Sequence, residues 1–175
     1  MKLFYPIAAT VLLVGSAFTF ITAPNWQIAD NYSIAFSNDQ AGGIFKDFKG
    51  TIAFDDKNPA TAKFDVSIAV ASLNTGNALQ NKHAKSAEWF DATKYPTIHF
   101  VSTKVVKAGN GYQVTGTLDM HGVQKPVTIP FTFQHAGAGG TFAGTFTINR
   151  SDFKIGEPGG EVSEPVKLEI AVPVK

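Results

Sequence analysis

Four histidines, His83, His99, His121 and His135, are the residues of this chain best suited to acid–base work or to holding a metal ion. No two of them share the spacing of a ligand pair on one helix or one strand, and no carboxylate stands at a telling offset from any. His99 has the parity opposite to Ile98 and Phe100, which puts it on the solvent side of a strand. His121 stands in a turn beside Gly122, and His135 opens a glycine-rich hairpin. His83 shares a helical spacing with Leu79, Ser86 and Phe90, so it can border a cavity or serve as an ordinary hydrogen-bonding residue of the helix. Asp55 and Asp56 fall in a turn with Asn58 and Pro59, and Glu157, Glu161 and Glu164 in a Pro/Gly-rich loop, where solvated carboxylates are the plain reading. There is no Gly-x-Ser-x-Gly elbow and no glycine loop joining a strand to a helix for a phosphate. Zero cysteines exclude disulfides, thiolate metal sites and cysteine nucleophiles. The catalytic signal is poor, and its remaining form is a small enzyme with His83 or His121 as base.

Arg150 is the one arginine of the chain. It follows the apolar run Phe146–Ile148 and precedes Asp152. Two roles fit it: a structural residue that stacks on an aromatic ring such as Trp26 or pairs with Asp152, or a clamp for an anionic head group.

The elements that must position these residues are strands. Period-two apolar runs occur at Trp26–Phe36, Ile44–Phe54, Phe64–Val70, Ile98–Ser102, Tyr112–Leu118, Val127–Phe133, Phe142–Ile148 and Val166–Val174. In the second run Phe45 is out of phase with Ile52 and Phe54, and Gly42, Gly43 and Gly50 predict a bulge or sharp bend. Turn residues separate most runs, so consecutive strands should pair antiparallel. The one long connection, from about Ser72 to Pro96, is where one or two short helices are expected. Eight antiparallel strands with one apolar face form either a two-sheet sandwich or a barrel, and periodicity does not choose between them. The 15 phenylalanines lean toward a barrel, with an interior either filled by side chains or left as an elongated apolar cavity.

A length of 175 residues suits one domain with a real core. Basic residues (15) and acidic residues (14) nearly cancel, which argues against a nucleic-acid footprint. Lys2 is followed by an uncharged run from Leu3 to Ala23, most apolar over Ile7–Val14. Residues 1–23 read as a secretory signal peptide with cleavage after Ala17, or as an uncleaved anchor, and residues 24–175 as the folded domain. Export predicts a periplasmic or secreted location.

Several strings in the domain resemble the YceI-like family of bacterial periplasmic, polyisoprenoid-binding proteins. They include Trp26-x-Ile28-x-Asp30-x-x-Ser33-x-x-Phe36, Gly43-x-Phe45-x-x-Phe48-x-Gly50, and Lys82-His83-x-Lys85-Ser86 with Trp89-Phe90-Asp91. Tyr95-Pro96-x-Ile98-x-Phe100, Leu118-x-Met120-His121-Gly122-Val123-x-Lys125-Pro126-Val127 and Ile148-Asn149-Arg150-Ser151-Asp152-Phe153 complete the set. The resemblance runs from Trp26 to about Val174. It implies an all-β, eight-stranded antiparallel, lipocalin-like barrel with a short helical excursion between the third and fourth strands. It also implies a non-enzymatic role: binding, sequestering or carrying a long-chain isoprenoid lipid such as a quinone or polyprenyl lipid, with no other cofactor. On that reading Phe36, Phe54, Phe64, Ile68, Phe100, Val114, Phe131, Phe133, Phe142 and Phe146 line the cavity, with His83 and then Arg150 as polar contacts. Transient contact with a membrane surface and a homodimer are further expectations. A stress-response structural domain with a side-chain-filled core is the alternative. This chain departs from the family pattern at Tyr32, where a histidine is common, and near Gln40. It also departs at Gln80-Asn81, where Arg-Asp is common, at Ala84 and, mildly, at Trp89. Most of these changes remove polar or charged groups that a ligand head would meet.

Overall fold

The structure is a computed structural model that describes residues 23–175. The leader expected over residues 1–23 lies, apart from Ala23, outside the described residues. The alternating runs form one curled antiparallel sheet. Its strands are β1 (Asn25–Trp26), β2 (Ser33–Ser37), β3 (Gly42–Phe45), β4 (Phe48–Ala53), β5 (Lys63–Ala69), β6 (Leu73–Asn74), β7 (Thr97–Ala108), β8 (Gly111–Met120), β9 (Val123–Ala136), β10 (Gly139–Asn149) and β11 (Pro165–Val174). They are ordered β1-β4-β5-β7-β8-β9-β10-β11-β2-β3-β6. The curl closes because the residues after β1 turn onto the end of β11. Gln27 and Lys175 exchange backbone hydrogen bonds of 2.9 Å, and Ile28 bridges Val174.

Eleven pieces map onto eight positions around the ring. The first run breaks at Asp30–Asn31 into β1 and β2, the second breaks at Lys46–Asp47 into β3 and β4, and β6 continues β5 past the turn at Val70–Ser72, pairing with β3 as β5 pairs with β4. That second break accounts for the phase slip of Phe45. Two residues at the bend shift the parity, so Phe45 and Ile52 both point inward. The Tyr32 hydroxyl holds the bend, donating to Lys46 O at 2.8 Å and accepting from Phe48 N at 3.0 Å. Gly50 bends β4 further with φ 146°, and a Cβ there would run into the backbone of Asp65 and Val66. In β7 the register shifts between Ser102 and Lys104, and the Ser102 hydroxyl takes the Phe64 N–H at 2.8 Å.

The long connection holds one helix, α1 (Ala78–Ala84), capped by the Asn77 side chain, which accepts from Leu79 N and Gln80 N. This is one short helix, as expected, though it covers only the first part of the Leu79–Phe90 spacing. It ends at Ala84, and a set of turns carries Trp89 and Phe90 inward while Leu79 is left 76% exposed. The expected common face of Leu79 and Phe90 therefore does not form.

Burial along the interior is graded. At the end formed by Ala53, Tyr112, Phe133 and Gly140, inward side chains are packed dry: Phe54, Phe64, Val105, Phe131, Phe142 and Val174 are buried. Toward the other end Phe36, Ile68, Phe146, Ile148, Val166 and Leu168 also point inward but stay only half-buried. The interior is thus filled at one end and vacant at the other, unlike a core occupied throughout by its own phenylalanines.

Candidate functional site

The vacant half is an apolar cavity of about 470 Å³, inside the roughly 300–1,000 Å³ range of small-molecule sites. Its floor consists of Phe64, Val114, Phe131 and Phe142, and its walls include Phe36, Ile68, Phe100 and Phe146. His83 and Arg150 stand at its mouth. Phe54 and Phe133, expected on the wall, are not there. Phe54 is 0% exposed, and its ring lies 5.0–5.6 Å from those of Tyr112, Phe131, Phe133 and Phe142. Phe133 lies over the bare backbone of Gly140, 5.3 Å from the Trp26 ring. The two residues form a plug beneath the floor, because the strand ends converge there and leave room only for stacked aromatics. Trp26 secures the plug through its indole N–H to Phe54 O at 2.9 Å.

Other wall residues come from three sources. Ile170, Leu168 and Val166 were visible as the in-phase set of the last run. Phe45 and Phe48 flank the bend, where phase alone misleads. Trp89, Ile155 and Val162 belong to segments that carry no strand signal, and Phe90 was marked only by a helical spacing that the helix, ending at Ala84, does not reach.

The mouth is built around Arg150, which is only 3% exposed. A strap, residues 154–164, crosses beside it and is tied to it throughout. Arg150 Nη1 donates to Ile155 O (2.8 Å), Nη2 to Glu157 O (2.9 Å) and Val162 O (2.6 Å), and Nε to Ser163 O (3.2 Å). Glu164 Oε1 lies 3.4 Å from Nη2 and supplies the neutralising charge. The guanidinium also stacks on Trp89, 5.4 Å from its ring. The aromatic partner is thus Trp89, not Trp26, because Trp26 is held in the plug at the opposite end. Asp152 is not a partner either: it takes Lys125 Nζ at 2.6 Å on the outside. Gly156 fits between the guanidinium and Trp89 at φ 64°, where a Cβ would lie 3.0–3.1 Å from both. On its far side the strap is clasped by Gln40 of the β2–β3 turn, which donates to Glu161 O and accepts from Ser163 N and Oγ at 3.0–3.1 Å.

The Ser151 hydroxyl and the Gly159 N–H, with Arg150 behind them, hold the Glu164 carboxyl below its ordinary value of 4.5. A carboxyl depressed on folding stabilises above its unfolded value, and that contribution is lost as pH falls through the folded one. The strap is therefore expected to loosen on acidification below pH 4.5, seen as movement of the Gly156 and Gly159 amide resonances before those of β8 and β9. If Glu164→Gln gives the same acid response, another group governs it.

The remaining histidines are apart from the cavity. His99 pairs with Asp65 (2.7 Å) and His135 with Asp56 (3.1 Å), both in exposed positions. His121 Nδ1 meets Phe153 O at 3.1 Å, and its ring packs edge-on against Tyr95. Only His83 borders the cavity, 5.7 Å from the Trp89 ring.

Comparison with known proteins agrees with this architecture. The YceI-like domain profile matches residues 26–174. The chain belongs to the YceI-like family. Protein YceI of Shigella flexneri is 42% identical over 140 residues, which cover 74% of this YceI-like chain and 71% of the relative. Among solved structures, Burkholderia cenocepacia BcnA superposes with a TM-score of 0.77 at 31% identity, covering 82% of this chain and 96% of BcnA. A polyisoprenoid-binding domain from Saccharophagus degradans has the same fold, with a TM-score of 0.61 at 15% identity over 86% of this chain and 93% of that domain.

Proposed function

We propose that this YceI-like protein is a non-enzymatic binding protein that sequesters or carries a long-chain isoprenoid lipid in the periplasm. The observation that carries the reading is the cavity: blind at the aromatic plug and apolar along its walls, with the polar side chains among its described lining residues gathered at the mouth. The Saccharophagus degradans domain, described as binding a polyisoprenoid, supports the choice of ligand class. The uncharged run from Leu3 to Ala23 supports export. Brief contact with a membrane surface during loading, where such lipids reside, is part of the same proposal.

Burial of the tail supplies the binding free energy. At about 25 cal/mol per Å², covering several hundred Å² of isoprenoid contributes on the order of ten kcal/mol relative to water. Transfer from a bilayer gains far less, because the tail is already dry there. Selectivity then rests on cavity shape and on the mouth.

Native mass spectrometry of the exported protein, followed by organic extraction, tests the proposal. One isoprenoid lipid per chain, lost on mild denaturation and retained in His121→Gln, is the expected result. An empty protein that also refuses added long-chain quinones and polyprenols would sink it.

A further inference from the structure

We infer that the barrel has a second opening, a lateral seam between β9 and β10 gated by Ile148, through which an isoprenoid tail passes broadside into the cavity. This deepens the lipid-binding proposal and rests on it. The β9–β10 ladder runs from Gly139 opposite Ala136 to Gly144 opposite Phe131 and ends there. Both strands go on: β9 pairs with β8 as far as Val123 opposite Met120, and β10 pairs with β11 as far as Asn149 opposite Pro165. Among the described residues, then, 123–130 of β9 and 145–149 of β10 form no ladder with each other.

The sequence supplies the cause. Pro130 and Pro126 stand opposite Gln113 and Thr117 of β8. Without an N–H, a proline fits that ladder only where its hydrogen-bonding side turns the other way, toward β10. Carried past Gly144, the register would set Pro130 opposite Thr145, Thr128 opposite Thr147 and Pro126 opposite Asn149. Two of those three pairs lack the β9 donor, so the ladder has little to continue with. The same loss leaves fewer polar groups along the seam for an apolar chain to cross.

Cavity and outer surface nearly meet at this seam. Inside it, Ile129, Phe146 and Ile148 border the cavity and are only half-buried. Outside, a depression of about 300 Å³ is lined by Lys125, Pro126 and Val127 of β9 and by Thr147, Ile148 and Asn149 of β10. Ile148 borders both, so its side chain is a wall that the two spaces share. The Lys125–Asp152 pair, which ties β9 to the turn after β10, is exposed and holds the seam weakly. The mouth, by contrast, is crossed by a strap fixed through the buried Arg150. End-on entry has to draw the full length of a chain past that strap. Broadside entry needs only a rotation of Ile148 and a small parting of two strands that no ladder joins there.

The chain has no cysteine of its own, so a cysteine pair can bridge the seam alone. The test mixes delipidated protein with phosphatidylcholine vesicles carrying a long-chain polyprenol and follows the rate of loading by native mass spectrometry. Thr128→Cys with Thr147→Cys, joined by a short cleavable thiol cross-linker, should load at least tenfold more slowly and recover when the linker is cut. The same bridge at Gln134→Cys with Thr141→Cys, which are already paired beside the plug, should change the rate less than twofold. Ile148→Ala should load at least threefold faster. A rate that the seam bridge leaves unmoved, or that both bridges slow alike, overturns the seam and leaves the lipid-binding proposal standing. Loading of Ile148→Ala no faster than the unaltered chain removes the gate. Refusal of the polyprenol by the unaltered protein overturns both.

Discussion

Replacing Arg150 by alanine is expected to cost the fold about 3 kcal/mol, the scale for removing one member of a buried, hydrogen-bonded charge cluster. The effect comes from what the side chain leaves behind. Four backbone carbonyls of the strap lose their donor, the Glu164 carboxylate loses its cation, and Trp89 loses the group stacked on it. Lysine keeps the charge but not the planar fork, and one ammonium cannot reach acceptors from Ile155 to Ser163 at once. Arg150→Lys should therefore recover less than half of the loss in a urea titration. If arginine served chiefly as a free anion clamp, alanine would cost under about 1 kcal/mol and lysine would substitute well. That result would remove the strap role.

Arg150 also shows where reading the sequence stops. Its singularity and its place at the end of an apolar run marked it, but its partners are main-chain oxygens, which leave no trace in residue type. Trp89 and the strap residues Ile155 and Val162 lie in aperiodic segments, so no spacing could join them to Arg150. The strands were legible because period-two patterning is imposed by burial of one face at every position. The same logic fixed which side chains point inward, but not how far along the barrel the filling extends. That depends on where ring volumes converge, and Phe54 and Phe133 look no different in sequence from Phe142 or Phe146. Parity also misled at Lys46–Asp47, where two residues at a bend bring Phe45 inward out of phase.

The difference between plug and wall yields the second large expectation, a separation of stability from loading. Phe54→Ala removes a ring that is 0% exposed and packed against five aromatics, so it should cost about 3–5 kcal/mol, the usual range for a fully buried phenylalanine. Phe133 is half-buried in the same plug, packed on Trp26, Phe54 and Phe142, and Phe133→Asp should cost about 2–3 kcal/mol. Phe146 is half-buried and faces the vacancy, so Phe146→Ala should cost only about 1 kcal/mol. Phe146→Asp should stay folded, with its carboxylate hydrated by water in the empty cavity, yet lose most of its lipid because a tail cannot enter without stripping that water. The checks are thermal melts of the four variants alongside lipid content by mass spectrometry. The cavity would be a mere packing defect if Phe146→Asp retained its lipid, or if Phe54→Ala and Phe146→Ala melted together. If loading falls only in the wall variant and stability chiefly in the plug variants, the barrel has divided its phenylalanines between holding itself together and holding a ligand.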